Sequence, residues 1–247
     1  MTLSGEELRR YRRHLALAGI GRRGQEKLKA AKVLCVGAGG LGSPLAFYLA
    51  AAGIGRLGLV DDGRLELSNL QRQILYATRG LGQPKAAQAA ARLRALNPHV
   101  QVQVLPLRLS PDNAAALISG YDVIADATDN FPARYALNAA CAAAGRPMVH
   151  GAVSGFEGYL SVFWAKRGPC YRCFLPTTPA APTPQGPAGA VPGAIGALQA
   201  LEILKLILGI GKPLIGRLLL FDGLSGEWRC LRVKKDPKCP SCRSCPK

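Results

Sequence analysis

The chain has 247 residues, with 49% hydrophobic and 6% aromatic content, enough apolar material to fill a substantial core. Its formal net charge is +17, which permits a nucleic acid, an acidic protein or a phosphorylated small molecule as partner. The basic residues are spread along the chain rather than gathered in one arm, which weighs against nucleic acid.

The N-terminus, MTLSGEELRRYRRH, lacks the apolar core of a signal peptide, so the cytoplasm is the expected location. Residues 1–31 read as a basic helical arm. Beyond it the pattern alternates, with strands expected near 33–37, 56–60, 101–105, 121–125 and 147–151. Helices are expected between them near 42–52, 84–96, 111–118 and 132–144. Alternation of this kind implies an α/β fold with a doubly wound, Rossmann-like, mostly parallel sheet. After His150 the segments GYLSVFW, GRLLLFD and EWRCLRV look antiparallel, the last two joined by the turn Gly223-Leu224-Ser225-Gly226. Between them, residues 175–192 are too rich in Pro, Ala and Gly for a regular element and read as a crossing loop. The run Gly193 to Ile210 is apolar but carries Gln199, Glu202 and Lys205. It reads as a buried amphipathic helix rather than a membrane span. A single domain over 1–247 is expected, with a nucleotide-binding half at 32–151 and a second half at 152–247.

The stretch KVLCVGAGGLGSPLAFYLAAAGIGRLGLVDD carries a dinucleotide fingerprint, in which Gly37, Gly39 and Gly42 follow an apolar strand and Asp61 ends the next. Gly39, Gly40 and Gly42 would let the backbone approach a phosphate at a helix start, and Asp61 would hold a ribose. In LELSNLQRQILY, Ser68 and Gln71 match a capping box opening a short helix. Asn69 and Arg72 then lie beyond the second strand, on the ligand side of such a sheet. In LGQPKAAQ, Pro84 suits a first helical turn and puts Lys85 in it, where a cation opposes the helix dipole unless an anion binds there. An Arg and a Lys together suit several phosphates better than a dinucleotide. DATDN ends the fourth strand with Asp126 and Asp129. One of the pair is expected to cap the next helix, and Asp129 stands where a carboxylate could hold Mg²⁺.

Of the 8 cysteines, Cys35 and Cys141 fall on apolar faces and read as core, and Cys230 lies in an expected strand. Cys170-x-x-Cys173 and Cys239-x-x-Cys242 can supply four thiolates to one structural Zn²⁺, although Cys242-x-x-Cys245 has the same spacing and could shift the second pair. His14, His99 and His150 are isolated in sequence, and none is assigned as a base.

Two readings follow from these residues. The glycine loop with Asp61 suits an NAD-dependent oxidoreductase or a redox-sensing protein, but leaves Arg72, Lys85 and Asp129 without roles. An ATP site uses all of them.

Taken in order, RYRRH, GAGGLG, SNLQRQ, GQPK, DATDN, PCYRC with KCPSC, and GALQALEILK resemble the ubiquitin-activating-enzyme-like adenylyltransferases of bacterial sulfur transfer over nearly the whole chain. The resemblance implies ATP-dependent adenylation of the C-terminal Gly-Gly carboxylate of a ubiquitin-like sulfur-carrier protein, with release of pyrophosphate and later delivery of sulfur by a donor protein. The carriers of the family serve molybdopterin, thiamine or tRNA thiolation. It further implies that Gly39 and Gly42 line the phosphate loop and that Asp61 holds the ATP ribose. Asn69, Arg72 and Lys85 would bind phosphates, Asp129 Mg²⁺ and the four cysteines Zn²⁺. Arg13 would reach into the partner subunit's site of a homodimer, and residues 152–247 would bind the carrier. A tRNA-modifying relative within the fold is the other alternative, encouraged by the charge. The sequence departs from the family in two places. Asp61-Asp62-Gly63 stands where members often read Asp-x-Asp, and no cysteine occurs in the crossing loop, where many relatives carry one roughly at Pro182 to Gln185.

Overall fold

The side chains of β1 (Lys32–Val36) alternate between two apolar sets. Val33 and Cys35 join one buried cluster, Leu34 and Val36 the other. A strand apolar on both faces needs cover on both, which a parallel sheet with helices on each side supplies. In the computed structural model, which describes residues 2–179, 186–243 and 245, that is the arrangement around β1.

The arm contains α1 (Gly5–Arg10), α2 (Arg12–Leu15) and α3 (Gly21–Ala30), and leads into β1. The order then runs α4 (Gly42–Ala52), β2 (Arg56–Val60), α5 (Lys85–Leu96), β3 (Gln101–Leu105), α6 (Pro111–Ile118), β4 (Val123–Asp126), α7 (Phe131–Ala144) and β5 (Met148–Ser154). It continues through β6 (Glu157–Phe163), α8 (Tyr171–Phe174), α9 (Ala190–Leu208), β7 (Arg217–Asp222), β8 (Glu227–Arg232) and α10 (Pro240–Arg243). One 8-stranded sheet has the order β3-β2-β1-β4-β5-β6-β7-β8. Its strands are parallel from β3 to β5 and antiparallel from β5 to β8. The expected α/β fold is therefore present, antiparallel extension included. Residues from α3, α4, α5 and α9 build the core on one face, and residues from α6, α7 and α8 build it on the other.

The arm is a chain of three helices rather than one. Tyr11 breaks the first junction with a non-helical backbone, and Gly21, at φ 56°, opens α3 after a turn. Buried polar groups hold it to the sheet's helices. Asn97 Nδ2 donates to Tyr11 Oη at 2.8 Å and to the Ala50 carbonyl at 2.7 Å, and Gln25 Nε2 donates to the Ala52 carbonyl at 2.7 Å.

Helix α9 begins within the expected crossing loop, because Pro192 sits in its first turn, where a missing N–H costs nothing. By length and composition alone α9 could cross a membrane, yet half of its apolar window is buried in the fold. Its polar residues have partners there. Gln199 Nε2 donates to the carbonyls of Asp126 at 2.8 Å and Val149 at 3.1 Å, and Glu202 pairs with Lys205 and accepts from the Leu214 N–H at 2.7 Å. The loop positions Pro182 to Gln185 lie outside the described residues.

Leu28 is the arm's anchor in the core and is fully buried. Leu28→Ala is expected to cost about 2–5 kcal/mol of stability, read as a lower urea midpoint with an unchanged slope.

Candidate functional site

The loop after β1 is shaped by what surrounds it. Gly37 has φ 95°, and a Cβ there would lie 2.5 Å from the Ala127 carbonyl oxygen. A Cβ at Gly42 would lie 2.0 Å from the Gly37 oxygen. Neither position can take a side chain without moving backbone. The result is a tight turn that brings the start of α4 close against β4. Helix α4 has no side-chain cap and no acid in its first turn, which leaves the positive end of its dipole toward the crevice. Asp61, at the end of β2, closes one wall. Its Oδ2 accepts from the Ala38 N–H at 2.8 Å and its Oδ1 from the Gly63 N–H at 2.8 Å.

Of the expected cations, Arg72 lies against this loop and Lys85 lies against Gly63, just past Asp61. The Arg72 stem crosses over Gly40, its Cγ 3.3 Å from where a Cβ would be, and its Nη1 donates to the Ser68 carbonyl at 3.0 Å. The Lys85 ammonium lies 3.4 Å from the Cβ position of Gly63, on the side of Asp61. Both are half-buried. Pro84 is the N-cap of α5 rather than part of its first turn, so Lys85 itself opens the helix. The capping box is not Ser68 with Gln71. It is Glu66 with Asn69, whose Oδ1 accepts from the Glu66 N–H at 3.1 Å across a short 3₁₀ turn at Leu67–Asn69. Asn69 is buried with its carbonyl oxygen occupied, while Gln71 turns to the Pro187 carbonyl at 3.4 Å. Two residues not singled out from the sequence also line the loop. Tyr76 donates to the Ala38 carbonyl at 2.7 Å, and buried Gln73 brings its amide nitrogen to 3.6 Å from the Cβ position of Gly39.

Arg13 does not reach this crevice within the chain. It is exposed on α2, whose His14 lines a cleft with Tyr48, Ala51 and Ala52 at the far end of α4. That helix has 11 residues and spans about 16 Å.

At the end of β4 the two acids part. Neither caps α7, because Asn130 does, accepting from the Ala133 N–H at 3.0 Å. Asp129 is exposed, and among the described residues its carboxylate accepts one hydrogen bond, from Asn130 Nδ2 at 3.2 Å. An accessible carboxylate with spare lone pairs near the glycine loop is a donor of the kind that suits Mg²⁺, which takes few protein ligands and keeps its water. Asp126 is fully buried and pairs with His150 Nδ1 at 2.7 Å, so His150, isolated in sequence, has a charged partner in the fold. Burial alone would raise the Asp126 carboxyl. The hydrogen bond and charge interaction with His150, with Arg134 and the Thr128 hydroxyl, outweigh it and hold the pKa below the ordinary carboxylate value. A carboxyl lowered in the native state stabilises above its unfolded pKa, and the contribution is lost as pH falls through the native value. Wild type is therefore expected to exceed Asp126→Asn in unfolding free energy at neutral pH, with the gap closing as urea titrations move into the acid range.

The cysteine pairs meet. Among the described residues the sulfurs of Cys170, Cys173, Cys239 and Cys242 lie within 4.8 Å of one another, with contacts of 3.8, 3.6 and 3.5 Å. Four thiolates at about 2.3 Å from a tetrahedral Zn²⁺ would stand about 3.8 Å apart, so the donor set and its spacing fit that ion. The second pair is Cys239 with Cys242, and Cys245 packs beside the cluster without joining it. Burial pushes the Cys35 thiol up to about 12 and raises Cys141 as well, which makes both inert core residues, while Cys230 is exposed on β8. Cys239→Ser is expected to abolish zinc retention through gel filtration, measured as metal per chain, and to lower the melting temperature.

The chain is 48% identical over 252 residues to the sulfur carrier protein adenylyltransferase of Thermus thermophilus, covering 98% of this chain and 93% of that one. It is 50% identical over 248 residues to the adenylyltransferase and sulfurtransferase MOCS3 of Bos taurus, covering 98% of this chain and 54% of that protein. It therefore spans about half the length of that relative. Among solved structures, Escherichia coli MccB superposes with a TM-score of 0.84 at 22% identity, over 94% of this chain and 74% of that one, a likeness of fold. The model of the ThiF family matches residues 11–241, and the chain belongs to that family.

Proposed function

We propose that the chain uses ATP to adenylate the C-terminal Gly-Gly carboxylate of a ubiquitin-like sulfur-carrier protein. The observation that carries this reading is the placement of Arg72 against Gly40 of the glycine loop and of Lys85 against Gly63, two residues after Asp61. The names of the Thermus and Bos taurus relatives support it. An NAD site presents only a pyrophosphate, with less negative charge than a triphosphate to occupy two cations, and it leaves Asp129 without a role; neither a redox nor a tRNA-modifying role draws support from those names.

In this reading the carrier's carboxylate oxygen attacks the α-phosphorus of ATP. A carboxyl–phosphate bond forms, the bond to pyrophosphate breaks, and no proton need move. The nucleophile is ionised at neutral pH, so the site needs no general base. What it must supply is positioning and positive charge, since the attack brings anions together. Arg72, Lys85 and the N–H groups at the start of α4 would bind the phosphates, with Asp61 on the ribose. Asp129 would hold Mg²⁺, which when bound adds positive charge across phosphate oxygens. The absence of any cysteine between Cys173 and Cys230 supports release of the acyl-adenylate to a separate sulfur donor rather than a thioester on the crossing loop.

Arg13 belongs to this scheme only if a second copy supplies it. Exposed Tyr48 and Leu201 line the cleft next to it and support such a homodimer.

The expected result is ATP–pyrophosphate exchange that requires a carrier ending in Gly-Gly and is lost when that ending is removed. Arg72→Ala and Lys85→Ala should each slow exchange about 10²–10³-fold. Mg²⁺ with ATP should raise the melting temperature, and NAD should not. Absence of exchange with every Gly-Gly carrier of the source organism would overturn the reading.

A further inference from the structure

We propose that His150 is a positioning residue for the loop that carries Asp129, setting how well that carboxylate holds Mg²⁺ with ATP; this rests on the ATP reading above. Asp126, the last residue of β4, faces His150, the third residue of β5, in register. Both are buried, with Nδ1 and Oδ2 2.7 Å apart. The other carboxylate oxygen of Asp126 accepts twice from Thr128, from its N–H at 3.1 Å and from its hydroxyl at 2.7 Å. Thr128 is the residue before Asp129. Its carbonyl accepts from Arg134 Nη2 at 3.1 Å, and the preceding Ala127 N–H donates to the Val36 carbonyl at 2.9 Å.

The chain from His150 to Asp126 to Thr128 therefore fixes the backbone that presents Asp129. The scheme for carboxylate activation gives His150 no other task. It is almost fully buried, with its ring against Phe163 at 5.7 Å and Tyr171 at 5.0 Å, which is no place for a base that meets substrate. A group that orients a metal ligand from behind typically changes metal affinity by about 10–100-fold when removed. A pair that merely filled the core would change stability and leave the metal requirement alone.

The test uses the full chain. Calorimetry measures ATP binding across a Mg²⁺ series, and thermal melting without ligand measures stability. His150→Leu is expected to raise the Mg²⁺ concentration for half-maximal ATP binding about tenfold. In His150→Asn the side-chain amide can replace the Nδ1–H donor, and that variant is expected to stay within about threefold of wild type. Thr128→Val removes the hydroxyl at the other end of the chain. It is expected to shift the requirement in the same direction as His150→Leu and carries the test if that variant does not fold. In an Asp129→Asn background His150→Leu should add little, because the two act on one ligand. An unchanged Mg²⁺ requirement in both His150→Leu and Thr128→Val, whatever their melting temperatures, overturns the proposal. So does a full tenfold effect that persists without the Asp129 carboxylate. If wild type itself shows no Mg²⁺-dependent ATP binding, the ATP reading falls and takes this one with it. If wild type binds and the variants match it, only the role of His150 falls.

Discussion

β1 is hydrogen-bonded to β2 on one side and to β4 on the other, and the candidate site depends on that placement. Helix α4 leaves β1 onto one face of the sheet, and α7 leaves β4 onto the opposite face. The two chains part at the carboxyl ends of adjacent strands, and a crevice opens between them. Packing holds the base of that crevice tight, because only glycine fits at 37 and 42 against the Ala127 and Gly37 carbonyls. Around it stand groups from otherwise separate segments: Asp61 after β2, Arg72 beyond it, Lys85 opening α5 and Asp129 before α7.

The chemistry assigned to this crevice asks for charge more than for proton transfer. A glycine turn that leaves room for a phosphate, two cations on half-buried stems and one accessible carboxylate would meet that demand. Families with this fold serve many chemistries, so the fold alone names none of them. Named side chains make the distinction here. Arg72 over Gly40 and Lys85 against Gly63 supply positive charge that suits a triphosphate better than a dinucleotide's pyrophosphate.

Much of this was legible in the sequence, for local reasons. The strands from β1 to β5 are short apolar runs bounded by turns, and their expected limits fall within a few residues of the observed ones. The cation positions followed from motif order along the chain. What escaped depended on contacts between distant segments. In LELSNLQ two overlapping capping patterns are possible, and only the path of the chain into the crevice selects Glu66 with Asn69. The partnership of Asp126 with His150 comes from the register of two parallel strands 24 residues apart, which no local spacing displays. A polar residue within or at the end of each of two apolar strands was the one available hint. Cys239 and Cys245 were equivalent by spacing, and the fold chose between them by bringing Cys239 beside Cys170. Arg13 has no reading within one chain at all.

The cysteine cluster joins two stretches that lie 69 residues apart, and between them run the crossing loop, α9, β7 and β8. With an ion bound, this part of the molecule becomes a closed ring, fastened by coordination rather than by a covalent bond. A backbone scission anywhere inside the ring would leave both fragments attached, each holding two of the four sulfurs. A chelator would then separate what the cut alone could not, so the metal makes the integrity of this half of the molecule reversible.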